Sequence, residues 1–107
     1  STQQQAEWCP VSAVTYRAHA KPEKPTSLRV SYQCGLTTHN EWVCFEHTGY
    51  PRTRAEAWWR RRTDAPIPGT VDDALAMVSA LREPVAIQVK PVGKYTELVG
   101  FRFGGEA

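Results

Sequence analysis

Residues 28–34 alternate strictly between apolar and polar side chains, in the order Leu-Arg-Val-Ser-Tyr-Gln-Cys. Because successive side chains of a β-strand point to opposite faces, this pattern predicts a strand with one buried and one exposed face. Such a strand needs a partner, and residues 11–19 supply one, with Val14, Tyr16 and Ala18 on a common face. Two prolines interrupt the stretch between them, so we expect a hairpin.

Three more strands are predicted by the same alternation. They cover residues 41–47, 85–89 and 95–103. Residues 35–40 are expected to form the turn before the first of these. Gly93 should lie in the hairpin turn between the last two, since glycine adopts positive φ at little cost. Gly100 predicts a bulge or a close approach within the last strand.

Two helices are expected between these strands. The first should begin at Thr53, which forms a capping-box pattern with Glu56, and should end near Thr63. The second should begin at Thr70, capped with Asp73, and should continue to the proline at position 84. Its apolar face would consist of Val71, Ala74, Leu75, Val78 and Leu81.

The resulting order, β-β-β-α-α-β-β, predicts the α+β class, with a mainly antiparallel sheet packed by two helices. A chain of 107 residues fits one domain. We expect residues 1–7 to be a disordered linker, residues 8–103 a single domain, and residues 104–107 a flexible tail. The start at Ser1 without methionine and the glycine-rich end favour a domain cut from a larger protein.

The composition and the motifs argue against several classes of protein. The chain is 41% hydrophobic and 22% charged, as in ordinary globular domains, and it has no apolar run of 18 residues, so no membrane partner is expected. Three cysteines without a close pair argue against a disulfide framework and favour a reducing, cytoplasmic compartment. Neither a nucleophile elbow, nor a zinc-protease motif, nor a glycine-rich phosphate loop occurs, so we expect no enzyme and no cofactor in this domain.

Two cysteines and two histidines follow the spacing C-x4-H-x4-C-x2-H. They are Cys34, His39, Cys44 and His47. Such a set can form a tetrahedral zinc site. However, the spacing is not that of a familiar zinc finger, and Cys44 and His47 would lie on opposite faces of one strand. We therefore expect no metal site and keep zinc as a minor alternative.

Arginines concentrate around the first predicted helix. Residues 52–62 contain five of the thirteen basic residues and a single acid, Glu56. Guanidinium groups pair with phosphate oxygens in a forked geometry, which favours a nucleic-acid partner. The net charge of +2 alone is too small for this inference, so the distribution of charge carries it. The alternative is an ordinary solvated helix whose positive C-terminal end complements the macrodipole.

Trp58 and Trp59 lie within this helix. Adjacent helical side chains point about 100° apart, so we expect Trp58 in the core, while Trp59 either joins it or stacks on unpaired bases. Lys90 and Lys94 in the last hairpin would add phosphate contacts. The predicted nucleic-acid-binding residues are therefore Arg52, Arg54, Trp59, Arg60, Arg61, Arg62, Lys90 and Lys94.

Several stretches together resemble the C-terminal domain of phage- and prophage-type superfamily II DEAD/DEAH-box helicases. They are 24–36 (KPTSLRVSYQCGL), 41–47 (EWVCFEH), 55–59 (AEAWW), 71–75 (VDDAL) and 93–95 (GKY). The resemblance covers roughly residues 8–103, and the chain contains none of the ATPase motifs. It implies an accessory domain beside a motor, with ATP and Mg²⁺ expected only in the parent motor.

Two functions follow as hypotheses. The first is a nucleic-acid-binding accessory domain of a helicase-like phage or bacterial protein, which would contact DNA phosphates through the arginine-rich helix. The second is a protein-interaction or structural module that docks on the parent helicase core or another replication protein through Trp59, Tyr50 and nearby apolar groups.

Overall fold

The computed structural model describes residues 5–105, which form six strands and two α-helices. In chain order these are β1 (Glu7–Pro10), β2 (Ala13–His19), β3 (Ser27–Cys34), β4 (Thr37–Val43), α1 (Tyr50–Arg60), α2 (Val71–Ala76), β5 (Pro84–Val92) and β6 (Tyr95–Phe103). Two antiparallel sheets, ordered β1-β5-β6 and β2-β3-β4, confirm the α+β class. Within residues 5–105, no helix is long and apolar enough to cross a membrane.

The chain divides into two compact units. The terminal unit contains the residues up to Val14, the segment Tyr32–His39 and the residues from Glu83 onward. The helical unit contains Thr15–Ser31 and Asn40–Arg82, and therefore both helices. Strands β2, β3 and β4 each contribute residues to both units, and the single domain expected over residues 8–103 stays a prediction.

The terminal unit contains the β5-β6 hairpin. The bounds of β6 match the prediction over residues 95–103, whereas β5 extends beyond the predicted residues 85–89 at both ends. Gly93 lies in the turn with φ of 60°, as predicted. The β5-β6 register shifts between Gln88 and Val89, opposite Gly100. A Cβ atom on Gly100 would lie 2.9 Å from Oε1 of Gln88. Both expectations for this glycine, an irregular register and a close approach, are therefore confirmed.

Strand β1 was not predicted from the sequence. It pairs antiparallel with β5, with Cys9 opposite Ile87. The expected linker at residues 1–7 is wrong at Glu7, the first residue of β1, because pairing with a distant strand orders a segment that has little local preference. Residues 1–4 of that linker and residues 106–107 of the expected tail lie outside the described residues.

The predicted burial of β3 is confirmed. Leu28, Val30 and Tyr32 are fully buried and Cys34 is nearly so, whereas the residues between them are partly exposed. The next strand differs from its prediction, because β4 covers Thr37–Val43 rather than residues 41–47. Gly35, with φ of 62°, completes the turn early, so polar residues expected in a loop continue directly into the strand.

Helix α1 begins at Tyr50, three residues before its prediction. Its N-cap is Gly49, which makes no side-chain cap, and the following turn contains Pro51, whose fixed φ suits a first helical turn. The hydroxyl of Thr53 bonds to the carbonyl of Gly49 at 3.3 Å, so the predicted capping box at Thr53 is wrong. The helix also ends at Arg60 rather than near residue 63.

Helix α2 begins as predicted but ends early. The Thr70 hydroxyl oxygen accepts a hydrogen bond from the Asp73 N–H at 3.1 Å, which confirms this cap. The helix stops at Ala76, and a 3₁₀ turn over Val78–Ala80 follows. Beyond this turn, the Arg82 N–H donates at 2.8 Å to the carbonyl of Arg62, two residues after the end of α1. This tertiary hydrogen bond is incompatible with a helix that continues to residue 84.

Candidate nucleic-acid interface

Two of the eight predicted binding residues belong to the core of the helical unit. Trp59 is fully buried, and its indole N–H donates to the carbonyl of Ala65 at 3.0 Å. Arg62 is 2% exposed. Neither side chain presents a surface to a base or a phosphate, so these two assignments are corrected. The physical reason is local: Ala55 and Trp59 lie one turn apart on the buried face of α1, and the turn after the helix places the Arg62 guanidinium over the Trp58 ring.

Arg52 also has a structural environment. Its Nη1 donates to the carbonyl of Phe45 at 2.6 Å and to that of Pro68 at 3.0 Å, and its Nε lies 3.3 Å from the carboxylate of Glu56. The guanidinium therefore joins the loops on either side of α1. Since these bonds use its donors inside the protein, Arg52 is poorly suited to hold a phosphate as well.

The remaining predicted cations are exposed. Arg54, Arg60 and Arg61 lie at the surface of the helical unit, and the guanidinium carbon of Arg54 is 5.9 Å from the centre of the Tyr50 ring. Lys90 and Lys94 are exposed in the terminal unit. The exposed residues of the predicted binding set therefore form two groups. The helical-unit group is Arg54, Arg60 and Arg61, and the hairpin group is Lys90 and Lys94.

A cavity of about 260 Å³ lies beside α1, and we call it the aromatic cleft. Its walls include Trp42, Tyr50, Arg54 and Trp58. Tyr50 is 74% exposed and Trp42 is 52% exposed, which is unusual for rings of this size. The indole N–H of Trp58 donates to the carboxylate of Glu41 at 3.0 Å and fixes one wall.

A second cavity of about 460 Å³ lies in the same unit, and we call it the lysine pocket. It is lined by His19, Lys21, Lys24, Pro25, Ser27, Trp42 and His47. Trp42 lines both cavities. The His19 ring meets the Trp42 ring edge-on, at 6.0 Å between centroids and 73° between planes.

Trp42 is the residue that sequence reasoning missed. The alternation over residues 41–47 puts Val43 and Phe45 on one face and Trp42 and Cys44 on the other, and apolar groups on both faces predict a strand that is covered on both sides. The informative signal was the polar run Thr-Thr-His-Asn-Glu immediately before Trp42, since a strand with such neighbours has one exposed face.

Charge is concentrated in the helical unit. This unit holds ten of the thirteen basic residues and seven of the eleven acids, a net charge of +3. Three of the acids have partners within the unit: Glu56 pairs with Arg52, Glu41 accepts from Trp58, and Glu46 accepts from the Val71 N–H at 2.8 Å. Three of the seven carboxylates of this unit are therefore engaged in structural contacts.

Among residues 5–105, no group of three or more His, Cys, Asp or Glu side chains could hold a metal ion. Of the four side chains with zinc-like spacing, Cys34 and His39 belong to the terminal unit, and Cys44 and His47 to the helical unit. All three cysteines are free thiols.

Comparison with known proteins adds no assignment. No family model matches the chain, and no curated protein is significantly similar to it. The resemblance to the helicase C-terminal domain therefore stays a prediction, and the geometry of the two cavities is the main basis for a functional proposal.

Proposed function

We propose that this chain is a nucleic-acid-binding domain and that it binds through the helical unit. The observation that carries the proposal is the aromatic cleft, in which exposed Tyr50 and Trp42 and the guanidinium of Arg54 line one cavity. Aromatic rings with nearby cations are the combination by which proteins bind nucleic-acid strands without reading every base.

Helix α1 supplies the phosphate contacts in this proposal. Its exposed guanidinium groups are those of Arg54, Arg60 and Arg61, the last at the helix C-cap. Arg54 and Arg61 are seven residues apart, so they share one stripe about 10 Å long, whereas Arg60 projects about 100° away from Arg61. Contacts of this kind fix the position of a strand and do not specify its sequence.

The setting follows from the resemblance to a helicase C-terminal domain. In this proposal the chain is an accessory domain of a cytoplasmic phage or bacterial helicase, its partner is DNA, and it carries no catalytic activity of its own. ATP and Mg²⁺ would act in the motor, while this domain would hold the strand on which the motor works.

A protein partner is the second candidate. Exposed aromatic residues bordered by arginine are also typical of protein interfaces, and Tyr50 with Arg54 fits that description. The clustering of exposed Arg54, Arg60 and Arg61 on α1 favours nucleic acid, because phosphate contacts require a local concentration of cations and an interface with the parent motor does not.

Fluorescence anisotropy with labelled single- and double-stranded DNA tests the proposal. Affinity should fall steeply between about 50 and 200 mM salt, because phosphate contacts release counterions. Arg54→Ala and Arg60→Ala should each lower the slope of log K against log salt by about one. The matched control is Arg102→Ala, which removes one exposed charge from the terminal unit and should leave the slope unchanged.

Lys90→Ala with Lys94→Ala measures whether the hairpin group contributes as predicted. Absence of binding at low salt and high protein concentration would overturn the proposed function. If Arg54→Ala, Arg60→Ala and Arg102→Ala all keep the wild-type slope of log K against log salt, α1 makes no phosphate contact. This outcome would favour the protein partner.

A further inference from the structure

We infer that the nucleic acid held by the helical unit is single-stranded, with an unpaired base stacked on Trp42 and an adjoining phosphate in the lysine pocket. This inference rests on the proposed function and specifies its ligand. Trp42 is a lining residue of both cavities. A group lying on this ring can therefore reach Arg54 on one side and Lys21 or Lys24 on the other.

The Trp42 ring meets the His19 ring at a steep angle, and the residue stays about half exposed. His19 contacts it edge-on at 73° rather than in parallel, so this contact holds the indole without forming a parallel stack on it. The residue is 52% exposed. Each nucleobase has a flat π-face, and stacking on an aromatic side chain does not depend on base identity.

The size of the aromatic cleft suits a single small planar group. At about 260 Å³ it lies just below the range of about 300–1,000 Å³ that is typical of small-molecule sites. In a duplex both faces of each base are covered by neighbouring pairs, so only an unpaired or extruded base offers a face to an indole. The cleft therefore suits one base of a single strand.

The lysine pocket has the chemistry of a phosphate site. Its lining includes Lys21, Lys24, His19 and His47, and none of its lining residues is a carboxylate. The loop that carries the lysines also contains one acid, Glu23, which leaves the loop with an excess of one positive charge. Both lysines are exposed, so their ammonium groups keep the freedom to follow a strand of variable conformation.

Three labelled probes of equal length separate base contacts from phosphate contacts. They are an oligothymidine of about 12 nucleotides, within the usual site size for a single-strand-binding fold, an abasic strand with the same phosphates, and a blunt duplex. The oligothymidine should bind about tenfold more tightly than either of the others, since stacking of even one base supplies a factor of this size.

Variants at Trp42 locate the base contact. Trp42→Ala should lower oligothymidine affinity about tenfold, to that of the abasic strand, and should not alter abasic affinity. Trp42→Phe retains a ring and should keep most of the affinity. The matched control, Tyr95→Ala, removes an exposed ring from the terminal unit and should change nothing. Circular dichroism confirms that each variant is folded.

Lys21→Gln with Lys24→Gln locates the phosphate contact. This pair should weaken oligothymidine and abasic strand alike and should lower the salt slope by about one, since one phosphate contact is lost.

Three outcomes are decisive. If no probe binds at low salt, the proposed function fails and the inference fails with it. If all three probes bind alike with a steep salt dependence, the proposed function stands and the inference is overturned. If Trp42→Ala binds oligothymidine as tightly as the wild-type chain, Trp42 is not the stacking residue, and the inference is again overturned.

Discussion

The guanidinium carbon of Arg62 lies 4.1 Å from the centre of the Trp58 ring, inside the helical unit. Nη1 of the same guanidinium donates to the carbonyl of Trp58 at 3.1 Å. The carbonyl of Arg62 accepts a hydrogen bond from the Arg82 N–H at 2.8 Å. Arg62 therefore links the C-terminal end of α1 to the segment that follows α2, and its guanidinium group makes its contacts inside the helical unit.

Arg62→Lys should destabilise the protein. Lysine keeps the charge but lacks the planar group that stacks on Trp58, so the free energy of unfolding should fall by about 1–2 kcal/mol. Urea denaturation followed by tryptophan fluorescence measures this. The matched control is Arg60→Lys, two residues away at an exposed position, which should change stability by less than about 0.5 kcal/mol. Equal effects at the two positions would contradict the structural role of Arg62.

The two threonines expected to cap helices should respond differently to truncation. Thr70→Ala removes the acceptor of the Asp73 N–H bond and should cost about 1 kcal/mol of unfolding free energy. Thr53→Ala should cost less, because the Thr53 hydroxyl bonds to a carbonyl one turn earlier and satisfies no orphan N–H group. Thermal or urea unfolding of both variants measures the two losses of unfolding free energy. A larger loss at Thr53 would show that α1 begins where the sequence pattern suggested.

Stability should fall at alkaline pH because of Cys34. Burial, and then the negative charge of a nearby Cys9 thiolate, raise the pKa of the Cys34 thiol above its ordinary value. The folded protein therefore retains a proton that the unfolded chain loses. The contribution of the protonated Cys34 thiol to the free energy of unfolding is complete below the ordinary thiol pKa, and it is lost as the pH rises through the raised pKa of the folded state. Urea unfolding between about pH 8 and pH 10 should show a shallower decline for Cys34→Ala than for the wild-type chain. Equal declines would contradict the assignment.

Local sequence patterns predicted those elements that depend on interactions between residues close together in the chain. The alternation of residues 28–34, the cap at Thr70 and the turn at Gly93 each depend on side chains within a few positions. Strand β1 could not be predicted in this way, because its order comes from pairing with β5, more than 70 residues away along the chain. The early end of α2 has a similar cause, since a tertiary hydrogen bond follows it.

The candidate site was predicted in composition but not in position. A cluster of five arginines shows that a helix is basic, yet packing decides which of them face outward. Arg62 is buried, whereas Arg54 and Arg60 are exposed. Trp42 was missed because a large aromatic residue in a strand is usually buried, and only its polar neighbours indicated an exposed face.

The most direct test of the account is the response of the four tryptophan indole N–H signals to oligothymidine, followed by ¹H–¹⁵N NMR. Substitution of each tryptophan by phenylalanine assigns the signals. Trp42 should shift progressively and saturate with added strand, while Trp8 in the terminal unit and the core residue Trp59 should stay in place. A saturating shift confined to Trp8, or no shift of Trp42 at a strand concentration that saturates the anisotropy signal, would contradict a binding site at Trp42.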